Sequence, residues 1–254
     1  MGSVTYRNGI AILQLIIFPF ILVASLFIWR RTGFKVGSRI WRYPFTLSLL
    51  RIAGSICSLL TISNKSQNIY IAEAVCELIG IAPLLLTYIG VLRQIDTEEE
   101  IPPRSSRLIT LITFIGLILG IAGVSTAKDG DYKTGLTKGA MGIFLAVFVI
   151  FVLVTIWLRL QFYELKQFQK KLFLAIALST PFILVRLIYS ALSDFTDIPR
   201  FQLFGDDTVY LCMSVLEEIV AMVITMALGT SAVLQKDFVR LDSAQQNSEK
   251  NDEV

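Results

Sequence analysis

Seven long apolar runs, separated by short polar stretches, make up most of this chain. They fall at about 9–29, 43–61, 70–91, 108–125, 139–157, 172–190 and 210–229. Each is close to the roughly 20 residues that a helix needs to cross the hydrocarbon of a bilayer. In lipid such a run satisfies its own backbone by coiling into a helix. The pattern therefore predicts an all-α, polytopic bundle of seven transmembrane helices over 1–234. Residues 235–254 turn polar and are expected to be a disordered tail. The first run lacks the cationic leader and small-residue cleavage site of a signal peptide, so it reads as an uncleaved span.

The punctuation inside and between the runs refines this. Pro19, Pro83 and Pro181 lie within spans, where proline is tolerated. Gly116, Gly120 and Gly123 in span four are expected to allow close helix packing and not to form a binding loop. Asp129-Gly130 signals a turn between spans four and five. Glu98–Glu100 reads as a solvated face. Asp194, Asp197, Asp206 and Asp207 read as loop charge, since their spacing matches no metal motif.

Composition agrees with a membrane protein. Hydrophobic residues are 54% of the 254 and charged residues 17%, against about 25% charged in soluble domains. Of the 23 Lys and Arg, 15 fall in the tail and the loops after spans one, three and five, against 6 on the other side. The positive-inside rule then predicts an outer or luminal N-terminus and a cytosolic C-terminus. An endomembrane such as the endoplasmic reticulum is the expected location. The sequon Asn64-Lys65-Ser66 falls on the luminal side. A net charge of +3, carried by loops, gives no reason to expect nucleic acid. There is no histidine, which removes histidine acid–base chemistry and most zinc sites. Cys57, Cys76 and Cys212 lie in apolar runs and offer no extramembrane disulfide framework.

The chemistry lies in the charges that interrupt the spans. Span seven carries Glu217 and Glu218, span three Glu73 and Glu77, span two Arg51 and span six Arg186. A charge at mid-membrane costs about 2.5–3.5 kcal/mol on insertion scales, so it has a partner or a job. Glu73 and Glu77, four apart, share one face. Glu217 and Glu218 differ by about 100° around their helix and cannot face one point. If the other faces turn inward they line one polar cavity, with Tyr70, Tyr189, Phe195 and Tyr210 near its mouth. The bland alternatives are Arg–Glu pairs that merely pin helices and aromatics that mark the interface belt. Four carboxylates against two arginines leave an excess of two. Burial disfavours the charged form, so at least one carboxylate is expected to be the neutral acid. Such an acid is a proton donor at neutral pH.

Several segments carry a resemblance: Tyr6-Arg7-Asn8-Gly9-Ile10-Ala11 with Gln14, Arg51-Ile52-Ala53-Gly54-Ser55, Glu77 with Gly80-Ile81-Ala82-Pro83-Leu84-Leu85-Leu86, and Glu217-Glu218. Together they resemble a fungal family of seven-helix integral membrane proteins, most without assigned function. In plan the chain is also similar to the membrane-bound terpene cyclases of fungal meroterpenoid pathways. That resemblance implies proton-initiated cyclisation of a lipophilic prenylated substrate drawn from the bilayer, without metal or other cofactor. By role and depth, Glu77 is the first choice as donor or supporting carboxylate, with Glu217 or Glu218 completing the site. Arg51, Glu73, Arg186, Tyr70, Tyr189 and Tyr210 would bind substrate or tune the acid. Two rival readings stand beside it. One is a seven-helix receptor or sensor, against which no luminal cysteine pair braces the loops. The other is a proton-coupled carrier, against which no inverted repeat is visible.

Overall fold

The computed structural model describes residues 6–33, 37, 40–62, 67–96, 101–126, 134–161, 166–196, 198–201, 205–235 and 238. Several side chains within helices, that of Tyr70 among them, lie outside this description. So do Asn64, Glu98–Glu100, the Asp129-Gly130 turn, Asp197 and nearly all of the tail.

Among the described residues seven segments are long and apolar enough to cross a membrane, and the fold is an all-α, multi-pass bundle. The first two spans are α1 (Tyr6–Thr32) and α2 (Arg42–Leu60). The third is a broken pair, α3 (Gln67–Ile79) and α4 (Ile81–Ile95). Then follow α5 (Pro103–Ser125), α6 (Gly135–Gln161) and α7 (Gln167–Phe195). The seventh begins with a short α8 (Asp207–Tyr210), passes through a π-helical turn (Leu211–Val215) and continues as α9 (Leu216–Val233). Most helices outrun their apolar cores by a turn or more, because their flanking polar residues stay helical.

The bundle is arranged around α4. Every residue of α4 except Arg93 is buried. Its neighbours show lipid-facing stripes, such as Ile16, Phe20 and Val23 on α1. Lipid tails are as apolar as leucine, so packing and polar contacts, more than hydrophobic burial, hold such helices together. Both are visible. A Cβ on Gly116 would sit 3.0 Å from Phe144 Cε1, and one on Gly123 2.6 Å from Thr137 Cγ2, so these glycines let α5 press on α6. The Tyr88 hydroxyl of α4 meets Thr225 Oγ1 at 2.8 Å and the Ala221 carbonyl at 3.1 Å. Ser179 Oγ of α7 donates to the same carbonyl at 3.2 Å. This knot ties α4, α7 and α9 together below the charged residues. At the far end of α4, Gln169 Nε2 donates to the Ile95 carbonyl at 2.9 Å, satisfying an end group the helix cannot.

The third span departs from the single helix its hydropathy predicts. Pro83 has no N–H for the Ile79 carbonyl, so the helical ladder is cut there. Gly80 sits at the break, and its hydrogen faces the Arg51 guanidinium. A Cβ at Gly80 would lie 2.7 Å from Arg51 Nη2. The break and the buried charge thus belong to one construction.

Candidate functional site

The site is built on Arg51, which α2 holds in the bundle interior at 2% exposure. Its Nε and Nη2 donate to the two carboxylate oxygens of Glu218, a bidentate pair. Its third nitrogen, Nη1, donates to Glu77 Oε2 at 2.8 Å. The Tyr210 hydroxyl donates to the other oxygen of Glu77. Arg186 approaches from α7: its Nη1 donates to Ser190 Oγ at 2.7 Å and its Nη2 to the Glu77 carbonyl at 3.4 Å. Its Nε lies 3.6 Å from Glu218 Oε2, within ion-pair range. Planar guanidinium suits these forked contacts better than a lysine ammonium would.

A second pair stands next to the first. Arg7, on the first turn of α1, donates from Nε to Glu73 Oε1 at 2.9 Å. Its Nη1 is 3.8 Å from Asp207 Oδ1. Its guanidinium carbon lies over the Tyr210 ring, 5.1 Å from the centroid, a cation–π contact. Tyr210 therefore joins the two pairs, taking Arg7 on its face and giving its hydroxyl to Glu77.

The π-helical turn sets this geometry. Over eight residues an α-helix turns about 80° beyond two full turns. Tyr210 and Glu218 would then diverge. The Leu216 N–H bonds back to the Leu211 carbonyl, five residues earlier, and this wider turn brings both side chains toward Glu77 and Arg51. Such bulges recur at functional sites.

The sequence-predicted residues sort clearly. Arg51, Glu77, Arg186, Glu218 and Tyr210 meet in one cluster, and Glu73 joins beside it through Arg7. Tyr189 stacks between Tyr210 and Phe201, with ring centroids 6.4 Å and 6.5 Å away. Phe195 points outward and is exposed. Asp206 caps α8 by accepting from the Thr208 N–H at 2.9 Å. Glu217 stays apart: it is half-buried, and among the described residues its Oε2 has no hydrogen-bond partner although solvent does not reach it.

Arg7, which precedes the first apolar run and is not among the expected site residues, belongs to the cluster. Three arginines (Arg7, Arg51, Arg186) then face Glu73, Glu77 and Glu218, with Asp207 also 3.8 Å from Arg7, so of the four carboxylates expected inside the spans only Glu217 lies outside the ion pairs. The expected cavity is also nearly filled by the pairs. The space bounded by Arg7, Gln14, Glu73, Glu77 and Tyr210 is about 10 Å³, room for about one water. Gln14, which accepts from Ser55 Oγ at 3.2 Å, is a further polar member from α1.

No curated protein and no solved structure matches the chain. Residues 4–236 match DUF7702, a domain of unknown function, and the chain belongs to that family.

Proposed function

We propose that the chain is a membrane-bound acid catalyst of the terpene-cyclase kind, with Glu217 as its proton donor. The observation that carries this reading is the contrast between neighbours. Glu218 is locked into ion pairs with Arg51 and Arg186, while Glu217 has a shielded carboxyl oxygen that no hydrogen-bond partner meets among the described residues. On this reading Glu217 holds its proton, since shielding an unpaired carboxylate from water is costly. Glu218 fixes the rotation of α9, and this holds Glu217 at the half-buried edge of the helix; on this reading the substrate meets its Oε1, the oxygen that is not shut away. Glu77, the first choice from sequence, is engaged on both oxygens by Arg51 and Tyr210 and is poorly placed to donate.

The substrate class rests on the resemblance to fungal meroterpenoid cyclases. A prenyl chain bearing an epoxide or alkene takes the Glu217 proton, and the epoxide C–O bond breaks or the alkene becomes a cation. Neighbouring alkenes close rings by supplying their π electrons. The final cation loses a proton to the Glu217 carboxylate, so the product is an isomer of the substrate and the acid is restored. The protein would lie in an endomembrane with its C-terminus in the cytosol.

The test is conversion of a prenylated epoxide by microsomes carrying the chain. Glu217→Gln keeps the size and removes the transferable proton. It should lower conversion by about 100-fold or more, the scale of general acid catalysis, at unchanged protein level. Full conversion by Glu217→Gln moves the acid elsewhere.

A second reading, a proton-coupled carrier or receptor, is favoured by the closed interior. A filled network with room for about one water changes state by exchanging ion pairs, which is how a switch behaves. Wild-type membranes that convert no prenylated substrate, yet take up protons or signal when a ligand is added, would favour it.

A further inference from the structure

α2 and α3 pack side by side, joined by the short link 61–66, and one glycine sets how close they come. A Cβ on Gly54 of α2 would sit 3.1 Å from the Cβ of Cys76 on α3. Cys57 is the next position along that side of α2, and Cβ atoms three residues apart on a helix are neighbours at about 5–6 Å. Cys57 and Cys76 therefore stand across one seam, both as free thiols and both half-buried. Their electrostatic contact agrees: Cys57 acts on the Cys76 thiol more strongly than does Glu77, the next residue in the chain, or Arg51. The third cysteine, Cys212, is exposed on the π-helical turn of the seventh span. The ion-pair cluster uses none of the three.

We propose that Cys57 and Cys76 form a dithiol that closes reversibly into a disulfide, stapling α2 to α3. A disulfide asks for Cβ atoms about 3.5–4.5 Å apart. At Gly54 the two helices already approach more closely than that, so the remaining gap is a shift along the seam. α3 is free to make it, because the break at Gly80 separates it from α4. The oxidant is a small organic disulfide. The Cys57 thiolate attacks one of its sulfurs, releases the first small thiol and keeps the other half as a mixed disulfide. The Cys76 thiolate then attacks the Cys57 sulfur and releases the second. The two protein thiols lose two electrons and two protons, and the small disulfide becomes two thiols. Cys57 takes the first step because it lies within a turn of the end of α2 at Leu60, where a reagent from water arrives. The staple would hold Glu77, the chain neighbour of Cys76, against Arg51 of α2, so oxidation would lock one side of the charged cluster.

Oxidised glutathione, added to the purified full chain in detergent, is the probe. The chain is used as wild type and as Cys212→Ser, which removes the exposed thiol. Remaining thiols are alkylated with a maleimide, and the peptides are mapped by mass spectrometry without reduction. In both proteins Cys57 and Cys76 should lose their reactivity together, and a peptide cross-linked between them should appear within a monomer. Dithiothreitol should restore both thiols, and Cys57→Ser should abolish the cross-linked peptide. Cys57 and Cys76 that stay alkylatable, that each carry a separate glutathione, or that cross-link only between two chains would each overturn the proposal.

Discussion

Arg51 and Glu218, 167 residues apart in the chain, meet as a two-pronged pair in the middle of the bundle, with Glu77 on the third nitrogen. One cation thus joins the second, third and seventh spans. Removing one member of such a pair leaves the others charged and out of water, which costs far more than the pair contributes net. Arg51→Ala should lower stability by about 3–5 kcal/mol. Fluorescence-detected size exclusion after heating would read it as a large fall in melting temperature. A variant that behaves as wild type would mean that Glu77 and Glu218 are not ionised together.

Gly80→Ala tests the link between the helix break and the charge. The new methyl would meet the Arg51 guanidinium at 2.7 Å, forcing a shift that costs about 1–3 kcal/mol, as overpacking does elsewhere. Gly139→Ala is the control, since nothing lies within 4 Å of its added methyl. That change should be neutral or stabilising by up to about 1 kcal/mol, the helix-propensity gain. Equal effects from the two would show that Gly80 serves only the backbone.

Tyr210→Phe keeps the ring against Arg7 and Tyr189 but removes the hydroxyl that donates to Glu77. A hydrogen bond to a charged group is worth about 1.5–3 kcal/mol, so the melting temperature should fall measurably. The fall should shrink toward the roughly 0.5–1.5 kcal/mol of a neutral hydrogen bond in the Glu77→Gln background, where the acceptor is an uncharged amide oxygen. Additive losses would separate Tyr210 from Glu77.

Much of this was legible in the sequence. Hydropathy locates seven spans, and charges inside them mark Arg51, Glu77, Arg186 and Glu218. The 100° offset between Glu217 and Glu218 already separates their roles. Arg7 was hidden because the apolar window begins after it. The helix does not begin there, and Arg7, Ala11 and Gln14 recur at i, i+4 and i+7 as one inward face. Pro83 reads in the sequence as a tolerated proline within one span, and the break before it, with Gly80 set against Arg51, depends on a neighbour in another span. The π-helical turn has no local sequence mark, since the tertiary pull of Glu77 and Arg51 on both ends defines it. The volume left inside the cluster is likewise a property of packing and is invisible in the chain.

In the proposed reading Glu217 is the proton-bearing carboxyl of the membrane region, while Glu77 and Glu218 are ion-paired. A lipophilic carbodiimide reacts with protonated carboxyls within the bilayer and leaves a stable adduct. Membranes treated with it and analysed by peptide mass spectrometry give the most direct answer. The adduct should appear on Glu217, disappear in Glu217→Gln, and be absent from Glu77 and Glu218. Labelling of Glu77 or Glu218 while Glu217 stays unmodified would contradict the account.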